Sequence, residues 1–99
     1  MQNGIIFVMF LARSTTDALK LPHQEARILI ASRIKEARLN AGLTQHDVAK
    51  ELHISQSSYC RIEKGTAPPD CVQIRTLSGL YGISVLWLMG YPSFIAKIN

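Results

Sequence analysis

Ser55, Gln56, Ser57 and Arg61 fall close together in the chain, with Lys64 just beyond them. Their side chains match the hydrogen-bonding edges of nucleobases. A glutamine amide can address N6 and N7 of adenine together, an arginine fork can address O6 and N7 of guanine, and a serine hydroxyl can donate to either. Alone, the group decides nothing, because any solvated helix face carries Ser, Gln and Arg. Catalysis has less material: Cys60 and His53 are near neighbours in sequence, but no third group that would orient them can be named. His23, His46 and His53 lack metal-ligand spacing. No glycine loop that could cradle a phosphate appears, so neither enzyme activity, metal nor cofactor is expected. Tyr59 beside basic residues could stack on RNA in another fold, but no interleaved aromatic platform supports that, and its spacing with Ile62 predicts core.

Two short helices joined by a tight turn must present that polar face. Thr44 can cap the first, with Asp47 three residues later completing a capping box. Val48, Ala49 and Leu52 then face inward at helical spacing. Ser55 can cap the second, Tyr59 and Ile62 supply its apolar side, and Gly65 closes it. Between them stand His53 and Ile54, the latter placed to plug the gap. A helix pair of this kind is a helix-turn-helix.

The pattern from Arg38 to Gly65, R…GLTQ…VA…L.IS…….IE.G, resembles the Cro/CI-type helix-turn-helix proteins, over about residues 28 to 91. The resemblance implies an all-α, five-helix lambda-repressor-like DNA-binding domain. It implies a transcriptional regulator, a repressor in many relatives, which binds a palindromic double-stranded DNA operator as a homodimer. It implies base reading by Ser55, Gln56, Ser57 and Arg61. Phosphate contacts fall to Gln45 at the start of the first helix and, more weakly, to His46, Ser58, Lys64 and Thr66. Arg38 is expected to pair with Glu63, tying the preceding helix to the base-reading one, with part of its guanidinium turned to phosphate. His53 departs from the family, occupying a turn position usually held by glycine; histidine tolerates the left-handed conformation better than most non-glycine residues.

The rest of the chain frames this unit. Its 99 residues fit one small domain, and 11 basic against 7 acidic side chains give a net +4, which permits a nucleic-acid partner without proving one. Cys60 and Cys71 read as free thiols in a reducing cytosol. The apolar run from Ile5 to Ala12 is too short to span a bilayer and lacks a basic flank, so no membrane association is expected. It could form a short strand. The organisation expected is an extension over 1–24, the helix-turn-helix domain over 25–91 and an apolar tail over 92–99. The first helix is predicted from Pro22 or His23 to Ala41, with Leu29 or Ile30, Ile34, Ala37 and Ala41 inward and Arg27, Arg33, Lys35 and Glu36 toward solvent. The fourth should bury Cys71, Ile74, Leu77 and Tyr81. In the fifth, capped by Ser84, Trp87 belongs to the core. Leu86 faces outward and, with Phe94, Ile95 and Ile98, is the expected dimer interface. An alternative use of an exposed apolar terminus is that of a DNA-binding antitoxin, holding a toxin protein.

Overall fold

Each of five short helices sends one side chain fully into a shared interior: Ile34, Val48, Tyr59, Leu77 and Leu88. The helices are α1 (His23–Asn40), α2 (Gln45–Glu51), α3 (Gln56–Lys64), α4 (Cys71–Tyr81) and α5 (Val85–Leu88). The computed structural model describes residues 21–92, and these are all-helical. The run from Ile5 and the residues Phe94, Ile95 and Ile98 lie outside the described residues. α1 starts at His23, so the folded unit reaches two residues ahead of 25.

The core follows the apolar spacing. Ala37 joins Ile34 on α1, Ala49 and Leu52 join Val48 on α2, Ile62 joins Tyr59 on α3, and Ile74 joins Leu77 on α4. Burying each of the Val, Leu and Ile side chains among them contributes about 1.5–3 kcal/mol. Because every helix donates to one cluster, none of the five can leave without exposing the others. Ile54 and Leu43, from the two links around α2, pack against the same cluster.

Several positions depart from the sequence expectations. Ala41 is the exposed C-cap of α1, past the last buried turn of the helix, which ends at Ala37 and Arg38. Cys71 is exposed, because the first turn of α4 overhangs the bundle and its buried stripe begins at Ile74. Arg27 and Arg33 do not extend into solvent. Arg27 Nη2 donates to the Gly65 carbonyl at 3.0 Å. Arg33 Nη1 donates to the carbonyls of Trp87 (2.7 Å) and Tyr91 (2.6 Å), and its guanidinium lies 4.8 Å from the centre of the Trp87 ring. Trp87 is therefore half-buried, with an arginine covering part of it. Leu86 is also half-buried, as is Val85, rather than standing out from α5.

The helix ends are fixed locally. Thr44 and Asp47 form a reciprocal capping box on α2, and Asp70 and Gln73 form another on α4. Ser55 and Ser84 accept backbone N–H groups at the starts of α3 and α5. At the C-terminal ends one closure recurs, with a backbone N–H five residues on returning to the last turn: Leu43 to Arg38, Ile54 to Ala49, Thr66 to Arg61, Ile83 to Ser78 and Tyr91 to Leu86. Each needs a left-handed residue before it. Glycine supplies this four times, and after α2 His53 does so with φ 58°.

That histidine sets a stability expectation. A non-glycine residue in the left-handed region costs about 1–3 kcal/mol, against which glycine brings about 0.5–1 kcal/mol of extra freedom in the unfolded chain. His53→Gly is expected to raise stability by up to about 2 kcal/mol, and His53→Val to lower it by about 1–3 kcal/mol. Urea unfolding of the three proteins measures both.

Candidate nucleic-acid interface

The α2–α3 pair presents the polar face read from the sequence. With Tyr59, Ile62 and Glu63 turned inward, Gln56, Ser57, Arg61 and Lys64 are exposed on the remaining side of α3. They are not equivalent. The Ser55 hydroxyl caps the helix, accepting the Ser58 N–H at 3.1 Å and contacting the Ser58 hydroxyl at 2.9 Å. Its first duty is thus structural. Arg61 Nη2 reaches back to Ser58 Oγ at 3.3 Å, a long contact an exposed arginine can give up. The Gln56 amide makes no hydrogen bond to any described residue, so both its donor and its acceptor face outward uncommitted.

Behind this face lies a buried polar cluster. Arg38 Nε donates to Glu63 Oε2 at 2.6 Å and Nη2 to Oε1 at 3.1 Å, while Nη1 reaches the Leu43 carbonyl at 2.9 Å. The two side chains are 10% and 3% exposed. Gln45 Nε2 adds a donor to Glu63 Oε1 at 3.1 Å. A single carboxylate therefore links α1, α2 and α3. The cluster leaves little guanidinium surface for a phosphate, and the position of Arg38 is that of a structural partner. Gln45, expected from sequence to face phosphate, has one amide hydrogen turned inward and one remaining. His46 and Lys64 are exposed, and the Thr66 hydroxyl donates to the Arg61 carbonyl at the end of α3.

Charge follows from this geometry. Burial alone would raise the Glu63 carboxyl, but the donors, Arg38 foremost, outweigh it and hold the group below its usual range. The hydrogen bond to Glu63 raises Arg38 against a smaller effect of burial. Burial first, and then the neighbouring carboxylate, push the Tyr59 hydroxyl far up. Tyr59 and Tyr81 hydroxyls are buried near the pair, close enough to feel its charge without reaching hydrogen-bond geometry. Among the described residues no group of three or more His, Cys, Asp and Glu could hold a metal, and no helix is long and apolar enough to cross a membrane.

The fold and the exposed second helix define a helix-turn-helix domain. The helix-turn-helix family profile matches residues 34–88, more than half of the chain, and the chain belongs to that family in its Cro/CI-type form. Among its relatives is the HTH-type transcriptional regulator ImmR of Bacillus subtilis, 36% identical over 61 residues, which are 62% of this chain and 48% of that protein. Another is the cryptic phage CTXphi transcriptional repressor RstR of Vibrio cholerae, 28% identical over 61 residues, 62% of this chain and 55% of the relative. The chain thus spans about half the length of these curated relatives. The crystal structure of the hypothetical transcription factor NHTF from Neisseria shares the fold, with a TM-score of 0.62 at 18% identity, covering 81% of this chain and 93% of that one.

The buried pair yields a coupled expectation. Removing either partner leaves an uncompensated buried charge, which costs about 3–5 kcal/mol. Arg38→Ala and Glu63→Ala should each lose about that much in urea unfolding, with the double variant losing far less than their sum. Because the Glu63 carboxyl titrates lower in the folded than in the unfolded chain, its contribution is fully present above its unfolded value of about 4.3. It is lost as pH falls through the lower folded value. Glu63→Gln is expected to remove this part of the acid destabilisation.

Proposed function

We propose that this chain is a sequence-specific double-stranded DNA-binding regulator, a homodimer that represses transcription from a palindromic operator. The observation that carries the reading is the outer face of α3, where Gln56, Ser57 and Arg61 stand exposed and Gln56 makes no hydrogen bond to any described residue. A helix with such a face, held rigidly at its inner side, fits a major groove. Repression follows the description of the Vibrio cholerae relative. In this reading Gln56 and Arg61 read bases with help from Ser57, and Ser55 contributes only as its cap allows. Gln45 meets a phosphate with its second amide hydrogen, beside His46, Ser58, Lys64 and Thr66. The antitoxin alternative would use the same α3 face and add a toxin protein, which co-purification of a small partner would reveal.

Selection from random DNA, followed by footprinting on the gene's own upstream region, tests the function directly. Gln56→Ala should weaken the selected site by about 1–3 kcal/mol and relax preference at one base pair per half-site, with little effect on scrambled DNA. Gln45→Ala should weaken both DNAs by similar factors, because phosphate contacts are blind to sequence. Loss of Arg61 flattens the salt slope by about one unit if it touches phosphate, and leaves the slope nearly unchanged if it reads guanine. Equal weakening of both DNAs by Gln56→Ala would remove α3's outer face from the recognition role.

In this reading the dimer seam is the apolar set the sequence offers, Leu86, half-buried on α5, with Phe94, Ile95 and Ile98 of the tail. Sedimentation should show a dimer at tens of micromolar protein, with half-sites about 34 Å apart on the DNA. A monomer that persists even on DNA would overturn it.

A further inference from the structure

The last turn of α3 is held by two arginines of α1. Arg38 grips Glu63, and Arg27 donates to the carbonyl of Gly65 two residues later. The two arginines are eleven residues apart, about three helical turns, so they share one face of α1 roughly 16 Å along its axis. Between them the α3 exit lies directly on α1. Gly65 takes φ 78°, and the place where its Cβ would stand is 3.6 Å from Ala31 Cβ and 3.9 Å from both the Arg27 carbonyl and Ile28 Cα. The Arg27 guanidinium also completes the negative end of α3, whose final carbonyls need a donor or a cation. It sits there even though its Nε is buried with no hydrogen-bond partner among the described residues.

We propose that Arg27 is a positioning residue that sets the angle of α3 and thereby governs base selectivity without touching the bases. The inference rests on the reading of α3 as the groove-entering helix. The fork on Glu63 and the buried Tyr59 and Ile62 fix the roll of α3 and seat it on the core; the second anchor, at Gly65, resists the remaining tilt along the α1 axis. The lever is long. Gln56 lies nine residues from Gly65, and at 1.5 Å per residue a tilt of about 5° displaces it by about 1 Å. A hydrogen bond tolerates a range of about half that, from 2.7 to 3.2 Å. Loss of Arg27 therefore spoils bidentate contacts while leaving the basic surface of α3 in reach of the backbone.

The test compares wild type, Arg27→Ala and Arg27→Lys in the full chain, on the DNA selected by the wild-type protein, its single-base variants and scrambled DNA. Ser78→Ala, which removes a hydroxyl bonded to the Ile83 carbonyl away from α3, serves as the control for stability loss alone. All are measured well below their melting transitions. Arg27→Ala is expected to lower discrimination between selected and variant sites about tenfold, with scrambled DNA bound within about twofold of wild type and an unchanged salt slope. Arg27→Lys, which keeps the cation and a donor, should recover part of the discrimination, and Ser78→Ala should retain all of it. Unchanged discrimination in Arg27→Ala overturns the inference, as does equal weakening on both DNAs with a flatter slope, which would make Arg27 a phosphate contact. A wild-type protein with no DNA preference overturns the reading of α3 as well, and so is told apart.

Discussion

The Glu63 carboxylate is the point through which three helices are joined. It takes two hydrogen bonds from Arg38 on α1 and one from Gln45 on α2, while itself belonging to α3. Taking both charges out of water is costly, and the attraction offsets this only where geometry is good and the remaining donors are met. Both conditions hold, since the fork is bidentate and the third guanidinium nitrogen, Nη1, has the Leu43 carbonyl. An apolar pair could fill the same volume with comparable stability. It would have no direction, whereas a planar fork on a carboxylate fixes the relative rotation of the helices that carry it. The outer face of α3 inherits that fixed orientation.

The short links complete the constraint. Each of the five helices ends in the same backbone closure, and α2, α3, α4 and α5 begin at residues whose side chains accept their first N–H groups. Such local bonds leave little freedom for a link to bend, so the core does not have to specify the angles alone. His53 shows how strongly the α2–α3 turn demands its shape, because the left-handed conformation persists there without a glycine. The turn and the ion pair act on opposite ends of α3, one at its start and the other near its finish.

What could be read from the sequence was set by short-range rules. Val48, Ala49, Leu52, Tyr59, Ile62, Ile74 and Leu77 were legible as core because apolar spacing is a property of a single helix. The caps at Thr44, Ser55 and Ser84 were legible for the same reason. The misses depend on where a helix ends relative to its neighbours. Cys71 has the right spacing, yet periodicity does not report that the first turn of α4 outruns the core. The place of Gln45 at a helix start points to phosphate, but it does not report that the amide also donates to a carboxylate eighteen residues away. Charge alone points Arg27 and Arg33 to solvent, whereas a long apolar stem lets an arginine bury most of its length and deliver its head to a carbonyl.

Those arginines explain why the net charge was so weak a guide. Along α1, Arg27 donates to the carbonyl that closes α3, Arg33 to two carbonyls at the end of α5, and Arg38 to Glu63 and the α1–α2 link. The final carbonyls of a helix lack partners within it and carry partial negative charge, so cations there meet two needs with one group. α1 thus works as a spine whose cations clasp the ends of its neighbours, and three of the 11 basic residues are committed to holding the fold. The charges left for a polyanion are a separate set, with Arg61 and Lys64 on α3 itself. A count of basic residues cannot distinguish the two sets. Only the packing does, by showing which guanidinium groups already have carbonyls in hand.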